Sequence, residues 1–156
     1  MAGIPISTAG ILVKYAAEGT AGGGRPTSGY TTIRGITNIG AINPEPNMLQ
    51  CTELSETVMH RYISGLKDLG GAVTLTANLY DYFLTDWAAL MSAYATAKAA
   101  GKAMWFEITI PGQQSFFLAA APNELGFSEA AVDEVLTVEA YLTPQQWGGY
   151  ANASST

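Results

Sequence analysis

Apolar and polar residues alternate most regularly along residues 57–80, where the pattern predicts two β-strands joined by a turn. The second strand, residues 72–79, has an apolar face and a polar but uncharged face: Val73, Leu75, Ala77 and Leu79 against Thr74, Thr76 and Asn78. Glycines at both flanks of residues 65–71 allow the chain to reverse there. We therefore predict a hairpin of residues 57–64 and 72–79, whose outer polar face borders water or a wet interface.

Other segments also have strand-like patterns, and their order along the chain indicates the fold class. They are residues 11–16, 31–42 (interrupted at Gly35 and Gly40), 48–54, 103–110, 114–121 and 132–142. Residues 114–121 are nearly all apolar, which predicts a strand covered on both faces. The sequence has no internal repeat of 20–50 residues.

Residues 85–102 are predicted as the one α-helix. Thr85 is the expected N-cap, with Asp86 in the first turn and Gly101 as the left-handed stop. An apolar stripe recurs at i, i+3, i+4 and i+7, formed by Trp87, Leu90, Met91 and Tyr94. The opposite side is mostly alanine, which supports the helix by propensity and is also suited to close packing against another subunit.

These elements predict a mainly β fold, a β-sandwich or partly open barrel with one flanking α-helix. Residues 1–156 are expected to form one domain, with an N-terminal arm (1–10), a Gly-rich loop (18–30) and a flexible C-terminal tail (143–156). The Gly-rich loop is either a plain linker or an arm that orders on a neighbour. Trp147 and Tyr150 in the tail are anchors that dock either on their own domain or on a partner.

A projecting loop is predicted between residues 38 and 55, with residues 43–47 at its tip. Pro44 and Pro46 have no N–H groups to donate and interrupt strand pairing there. Met48 and Leu49 follow and would be exposed on a monomer, which indicates a docking surface.

The composition favours a subunit of an assembly. Charged residues make up 13% of the chain, and hydrophobic residues 48%, whereas about 25% charged residues is usual. Such a chain has few charged residues to cover the surface of a monomer, so we expect part of its surface to be buried between subunits. A monomer with a Ser, Thr, Asn, Gln and Gly surface is the alternative.

The net charge of −6 with no basic run argues against nucleic-acid binding through phosphate groups. No membrane span or signal peptide is predicted, and the single cysteine fits synthesis in the cytoplasm.

Candidate chemistry is sparse, and the sequence predicts no enzyme, no cofactor and no metal site. His60 is the only histidine and is interpreted as a polar or interface side chain, and Cys51 as a buried, inert thiol. The adjacent acids Glu53 and Glu56, like Asp133 and Glu134, are interpreted as solvated. The glycines before Arg25 lack the Lys-Ser/Thr ending of a phosphate loop.

The order of elements resembles the tail tube (major tail) proteins of bacteriophages with long non-contractile tails. The resemblance rests on TTIRGITNIGAINPEPNMLQCTELSET (residues 31–57), YISGLKDLGGAVTLTANLYD (62–81), the helix at 85–102, WFEITIPG (105–112) and VDEVLTVEAYL (132–142). It covers residues 31–143, and the Gly-rich segment 18–30 is less typical of the family.

The resemblance implies a virion protein that forms hexameric rings, with strands of six copies joined into an inner barrel. Stacked rings would make the hollow tube for DNA, which passes without specific binding. Implied partners are other copies, tail tip and tail terminator proteins, and a tape measure protein in the lumen, with assembly in the host cytoplasm. On this reading we expect inter-subunit contacts from the projecting loop, the Gly-rich segment and the tail: Asn43, Pro44, Glu45, Pro46, Asn47, Met48, Leu49, Arg25, Tyr30, Trp147 and Tyr150.

Three alternatives stay open. Type VI secretion tube proteins and the inner tube proteins of contractile phages have a similar architecture. A monomeric β-sandwich binding module would use Trp105 and Trp147 as an aromatic platform.

Overall fold

The computed structural model describes residues 8–154, which contain nine β-strands and one α-helix. Most of the predicted N-terminal arm, residues 1–7, lies outside the described residues. The elements are β1 (Leu12–Ala17), β2 (Thr31–Ile33), β3 (Ile36–Ile39), β4 (Glu45–Gln50), β5 (Tyr62–Asp68), β6 (Val73–Asn78), α1 (Asp81–Ala99), β7 (Met104–Thr109), β8 (Ser115–Pro122) and β9 (Thr137–Ala151). The prediction of a mainly β fold with one helix is confirmed.

Seven strands form one antiparallel sheet in the order β2-β1-β7-β8-β9-β6-β3. The two edge strands follow each other in sequence, because only Arg34 and Gly35 separate β2 from β3. Three Cα–Cα steps of about 3.8 Å reach at most about 11 Å, so the sheet must curl until its opposite edges approach each other. Gly35 makes the crossing with φ +88°. The result is an open sandwich and not a closed barrel.

The main core lies between the concave side of this sheet and α1. Strand β6 shows how the alternation builds it: Val73, Leu75 and Ala77 are buried, whereas the residues between them are half-buried. The helix contributes Phe83, Trp87, Leu90 and Ala97, all buried. The predicted stripe is thus confirmed at Trp87 and Leu90, while Met91 and Tyr94 pack at its margin.

Both ends of α1 differ from the predicted bounds of 85–102, because the helix spans Asp81–Ala99. The helix begins at Asp81, with Tyr80 as an N-cap that makes no side-chain hydrogen bond, so Thr85 is not the cap. The Thr85 hydroxyl instead donates to the Asp81 carbonyl inside the first turn. Gly101 has φ +72°, as expected for the left-handed stop.

The predicted hairpin of residues 57–64 and 72–79 is wrong. Strand β5 pairs with β4 in a separate two-stranded sheet, whereas β6 pairs with β3 and β9 in the large sheet. Residues 65–68, expected in the turn, belong to β5. Alternation identifies the faces of a strand but not its partner, and the link at residues 69–72 joins two different sheets.

The predicted flexible tail from residue 143 is also wrong over most of its length. Strand β9 is fifteen residues long and runs to Ala151. Register shifts opposite Phe117/Leu118 and Ala119/Ala120 let this long strand follow β8 through its bends. Its start is later than predicted, at Thr137, so residues 132–136 belong to the preceding loop.

Candidate interaction surfaces

Residues 45–68, here called the ribbon, are the least buried part of the described chain. They consist of β4, β5 and the connecting residues 51–61. Every residue of β4 is exposed, and every residue of β5 except Gly65. The register places Leu49 opposite Ile63 and Gln50 opposite Tyr62. Both faces of a two-stranded sheet are therefore free of core contacts.

Large apolar side chains are concentrated on this ribbon. Their relative exposures run from 51% at Tyr62 to 86% at Leu66 along the two strands. The exposed set is Met48, Leu49, Leu54, Val58, Met59, Tyr62, Ile63 and Leu66. The predicted exposure of Met48 and Leu49 is confirmed. Monomeric proteins rarely leave contiguous apolar surface of this kind uncovered.

The outer end of the ribbon is organised by its own polar contacts. Arg61 and Glu56 form an ion pair of 3.1 Å, and the Arg61 amide donates to the Thr52 hydroxyl. The side-chain nitrogen of Gln50 lies 2.9 Å from Nδ1 of His60. These contacts hold the connecting residues in a defined shape without core packing.

Two predictions about this region are corrected. Residues 43–47 do not form the tip of the projection, because Glu45 pairs with Asp68 at the base and the tip is residues 51–61. Cys51 is exposed rather than buried, since it lies directly after β4 in the connecting residues 51–61, away from the core.

The Gly-rich segment 18–30 lies across the convex side of the large sheet. The buried Glu18 carboxylate accepts hydrogen bonds from the amides of Ala103 (3.2 Å) and Gly22 (3.1 Å), and from Nε1 of Trp105 (3.4 Å). The Ala103 hydrogen bond is the main reason that the pKa of Glu18 is lowered; burial acts in the opposite direction. Glu18 thus fixes the start of the segment to strand β7.

The end of the segment covers a second apolar cluster. Trp105, Phe117 and Ala119 form it, and Tyr30 packs against them. The guanidinium of Arg25 lies 4.0 Å from the centre of the Phe117 ring. Burial raises the pKa of Tyr30 to about 12, although the nearby Arg25 lowers it. Arg25 and Tyr30, predicted as inter-subunit contacts, thus both contact their own chain.

The predicted aromatic residues of the C-terminal segment separate into two kinds. Trp147 packs partly against the main core, and its ring centre lies 6.1 Å from that of Phe116. Tyr150 remains largely exposed beside the same Phe116 ring. Of the two, Trp147 therefore docks on its own domain.

The predicted polar face of β6 lies on the part of the convex side that the Gly-rich segment leaves uncovered. The register places Thr74 opposite Tyr141, Thr76 opposite Glu139 and Asn78 opposite Thr137. The Tyr141 hydroxyl donates to Glu139 at 2.8 Å. This surface is rich in hydroxyl groups, and Glu139 is the charged side chain among these paired residues.

Catalytic arrangements are not found among the described residues. No group of three or more His, Cys, Asp or Glu side chains in residues 8–154 is placed to hold a metal ion. Nor is any helix there both long and apolar enough to cross a membrane. The buried Glu107 accepts hydrogen bonds from Ser154 and Thr109; burial raises its pKa, but these hydrogen bonds outweigh burial and lower it.

Comparisons with known proteins find the same fold in tail-like particles. No family model matches the sequence, and no curated protein matches it. A chain in the six-fold symmetrised cryo-EM structure of the anti-feeding prophage (AFP) baseplate aligns with a TM-score of 0.64 at 14% identity, over 93% of this chain and 95% of that one. A chain in the tail of an empty GTA particle, refined helically in C6 symmetry, aligns with a TM-score of 0.58 at 14% identity, over 96% and 100%. The fold of this chain is therefore similar to that of both.

A second exposed apolar surface was not anticipated from the sequence. The loop of residues 123–136 exposes Phe127, Val132 and Val135, with relative exposures of 72–91%. Acidic residues lie between them, and no lysine or arginine follows Lys102 in the chain. This absence of basic residues after Lys102 is the sequence feature that could have indicated the surface.

Proposed function

We propose that this chain is the repeating structural subunit of a phage-like tail, assembled as stacked six-fold rings into a hollow tube that conducts DNA. The fold similarity to chains of two particles with six-fold symmetry supports this role. Neither similarity exceeds 14% identity, so the assignment depends on the exposed surfaces of this chain as well. On this proposal the protein resides in the virion tail, is assembled in the host cytoplasm and has no enzymatic role.

The single observation that carries the proposal is the ribbon. Eight large apolar side chains there have no core to pack against. Removing a Leu, Ile or Met side chain from water is worth roughly 1.5–3 kcal/mol, so a surface of this size favours a partner surface. A second copy of the chain is the partner that an extended tube supplies at every position.

The edges of the large sheet support ring formation. Strands β2 and β3 each have one unpaired side within the described chain. Exposed strand edges invite pairing with another chain, and a closed ring satisfies them without leaving free ends. We propose that edge pairing joins copies within a ring and that the ribbon of each copy packs on a neighbour. Residues 43–49, which enter the ribbon at its base, and exposed Tyr150 would contribute to the same interfaces.

The proposed lumen follows from charge. The net charge of −6 disfavours adhesion of DNA phosphates, which suits the wall of a channel that conducts DNA. In a complete tail, this chain would also contact tail tip, tail terminator and tape measure proteins.

Electron microscopy of the purified chain tests the proposal. We expect wild-type protein to form rings or tubes with six-fold symmetry. Leu49→Asp/Ile63→Asp should stay folded but raise the critical concentration by at least about tenfold, because two facing apolar side chains become charged. Leu84→Asp, at an exposed leucine of α1, is the matched control and should assemble. A wild-type protein that remains monomeric at high concentration would refute the proposal.

A second candidate is an inner tube or baseplate subunit of a contractile or secretion particle. The higher TM-score of the AFP baseplate chain favours it. Such a subunit would form isolated rings or short stacks, whereas a tail tube subunit forms long tubes of constant width. The length distribution in the same micrographs separates the two.

A further inference from the structure

The loop of residues 123–136 is held at one end of the helix. The indole Nε1 of Trp87 donates to the Asn123 carbonyl at 3.2 Å, and the Leu79 amide donates to the Leu136 carbonyl at 2.8 Å. Both ends of the loop are thus fastened beside the N-terminal half of α1. The apolar side chains of Phe127, Val132 and Val135 extend into solvent between these two fixed points.

A cleft of about 460 Å³ lies between this loop and the start of strand β9. Three carboxylates and three hydroxyls line it: Glu129, Glu134, Glu139, Thr76, Thr137 and Ser128. The only ion pairs within residues 8–154 are Arg34–Asp86 and Arg61–Glu56. The three glutamates therefore pair with no lysine or arginine among residues 8–154, and the cleft is strongly anionic.

The opposite end of the helix is basic. Lys98 lies in the last turn of α1, and Lys102 follows the helix stop. Neither makes an ion pair within the described residues. The exposed Ala99 and Ala100 beside them form a small, flat apolar surface. Nineteen residues of helix separate the two ends, roughly 28 Å at 1.5 Å per residue.

We propose that the cleft receives Lys98 and Lys102 of a second copy, with Phe127, Val132 and Val135 packing on the alanines beside those lysines. This inference rests on the proposed self-assembly and assigns one of its interfaces. When copies stack end to end, as in the proposed tube, the anionic, apolar surface of one copy meets the cationic, flat surface of the next only if the copies point the same way. The contact is therefore heterologous and repeats head to tail, which gives the assembly a polarity.

Charge exchange is the decisive experiment. Glu129→Lys/Glu134→Lys places like charges at the contact and should raise the critical concentration for assembly by at least about tenfold; Lys98→Glu/Lys102→Glu should do the same. The variant with all four substitutions restores opposite charges with reversed sign and should assemble like wild type. Its net charge is unchanged at −6, since two acids and two lysines are exchanged.

Controls keep the result specific. Glu124→Lys, at an exposed acid of the same loop outside the cleft, is the match for Glu129→Lys and should have little effect. Raising salt from about 0.1 M to about 1 M shortens the Debye length from roughly 10 to 3 Å. Assembly of the wild type should therefore weaken, and assembly of Glu129→Gln/Glu134→Gln should weaken less. Circular dichroism confirms that each variant is folded.

The outcomes are distinct. If wild type assembles and both double variants assemble equally well, or if the folded fourfold variant fails, the interface is wrong while the proposed function stands. If wild-type assembly instead requires added Mg²⁺ or Ca²⁺ and the fourfold variant fails, the cleft takes a cation and not a second copy. If wild type never assembles, both proposals are wrong.

Discussion

The ribbon and the seven-stranded sheet differ in what covers their strands. Strand β8 buries Phe117, Leu118, Ala119 and Ala120, with cover on both faces. Strand β4 exposes all six of its residues. The sequences already differ, because β8 (SFFLAAAP) is almost all apolar, whereas β4 (EPNMLQ) has only Met48 and Leu49 as large apolar residues. What leaves Met48 and Leu49 exposed is that the rest of the described chain supplies no second layer over the ribbon.

This difference assigns the two sheets separate roles. A two-stranded sheet is marginally stable alone in water, and the ribbon retains its shape through polar contacts at its tip and its attachment to the domain. We expect the large sheet to contribute most of the free energy of folding, and we propose that the ribbon contributes a surface for association. The following predictions test that division, from the largest expected effect to the smallest.

Phe106→Ala should give the largest loss of stability. Phe106 is fully buried in the main core, and removing such a ring typically lowers the free energy of unfolding by about 3–5 kcal/mol. Phe127→Ala, at an exposed phenylalanine, should change it by less than about 0.5 kcal/mol. Urea unfolding at low protein concentration measures both. Similar losses in the two variants would contradict the assigned core.

Gly148→Ala tests the cover on the convex side of the sheet. A Cβ at this position would lie 2.7 Å from Cζ3 of Trp105 and 3.1 Å from the Phe117 carbonyl oxygen, so the second cluster must shift. We expect a loss of about 1–3 kcal/mol in the free energy of unfolding. Gly71→Ala, where no atom lies within 4 Å, is the control. If Gly148→Ala left the free energy of unfolding unchanged, Trp105 would be loosely packed.

Glu18→Gln tests how the Gly-rich segment is attached. The Glu18 carboxylate accepts hydrogen bonds from N–H donors. Replacing it with a neutral amide should lower the free energy of unfolding by about 1–2 kcal/mol at pH 7. Because the folded pKa of Glu18 is lowered, its contribution is present above the unfolded pKa near 4.5 and is lost as pH falls through the folded value.

The corresponding measurement is unfolding at neutral pH and at about pH 3. Wild type should lose more stability than Glu18→Gln between the two, so that the difference between them shrinks in acid. The pKa values of Asp86 and Glu107 are also lowered, so their protonation in acid reduces the stability of both proteins by the same amount. A difference that stays constant with pH would show that Glu18 is not ionised in this contact.

Ile63→Ala should have the smallest effect on folding. Ile63 is 54% exposed and faces Leu49 across the ribbon without core contact, so the free energy of unfolding should change by less than about 0.5 kcal/mol. Assembly should nevertheless weaken, as measured by sedimentation. A large loss of stability with unchanged assembly would reverse the roles assigned to the two sheets.

Three features of the structure were predicted correctly from the sequence. The face of β6 was predicted residue by residue, because alternation alone decides which side chains share a face. The left-handed stop at Gly101 was predicted because few other residues adopt that backbone conformation easily. The exposure of Met48 and Leu49 was predicted from apolar residues beside two prolines. The inter-subunit roles of these residues stay predictions.

The sequence by itself determined that the chain is mainly β with one helix, that Gly101 stops the helix and which residues of β6 face the core, since these depend on dihedral preferences and on short periodicities. Only the tertiary structure decided that β5 pairs with β4, that β9 continues through Trp147, and that residues 18–30 cover Trp105 and Phe117. Partner choice depends on surface buried between segments distant in sequence, which no local pattern records. For the same reason only the fold brought Glu129, Glu134 and Glu139 to one cleft and left Lys98 and Lys102 at the other end of the helix.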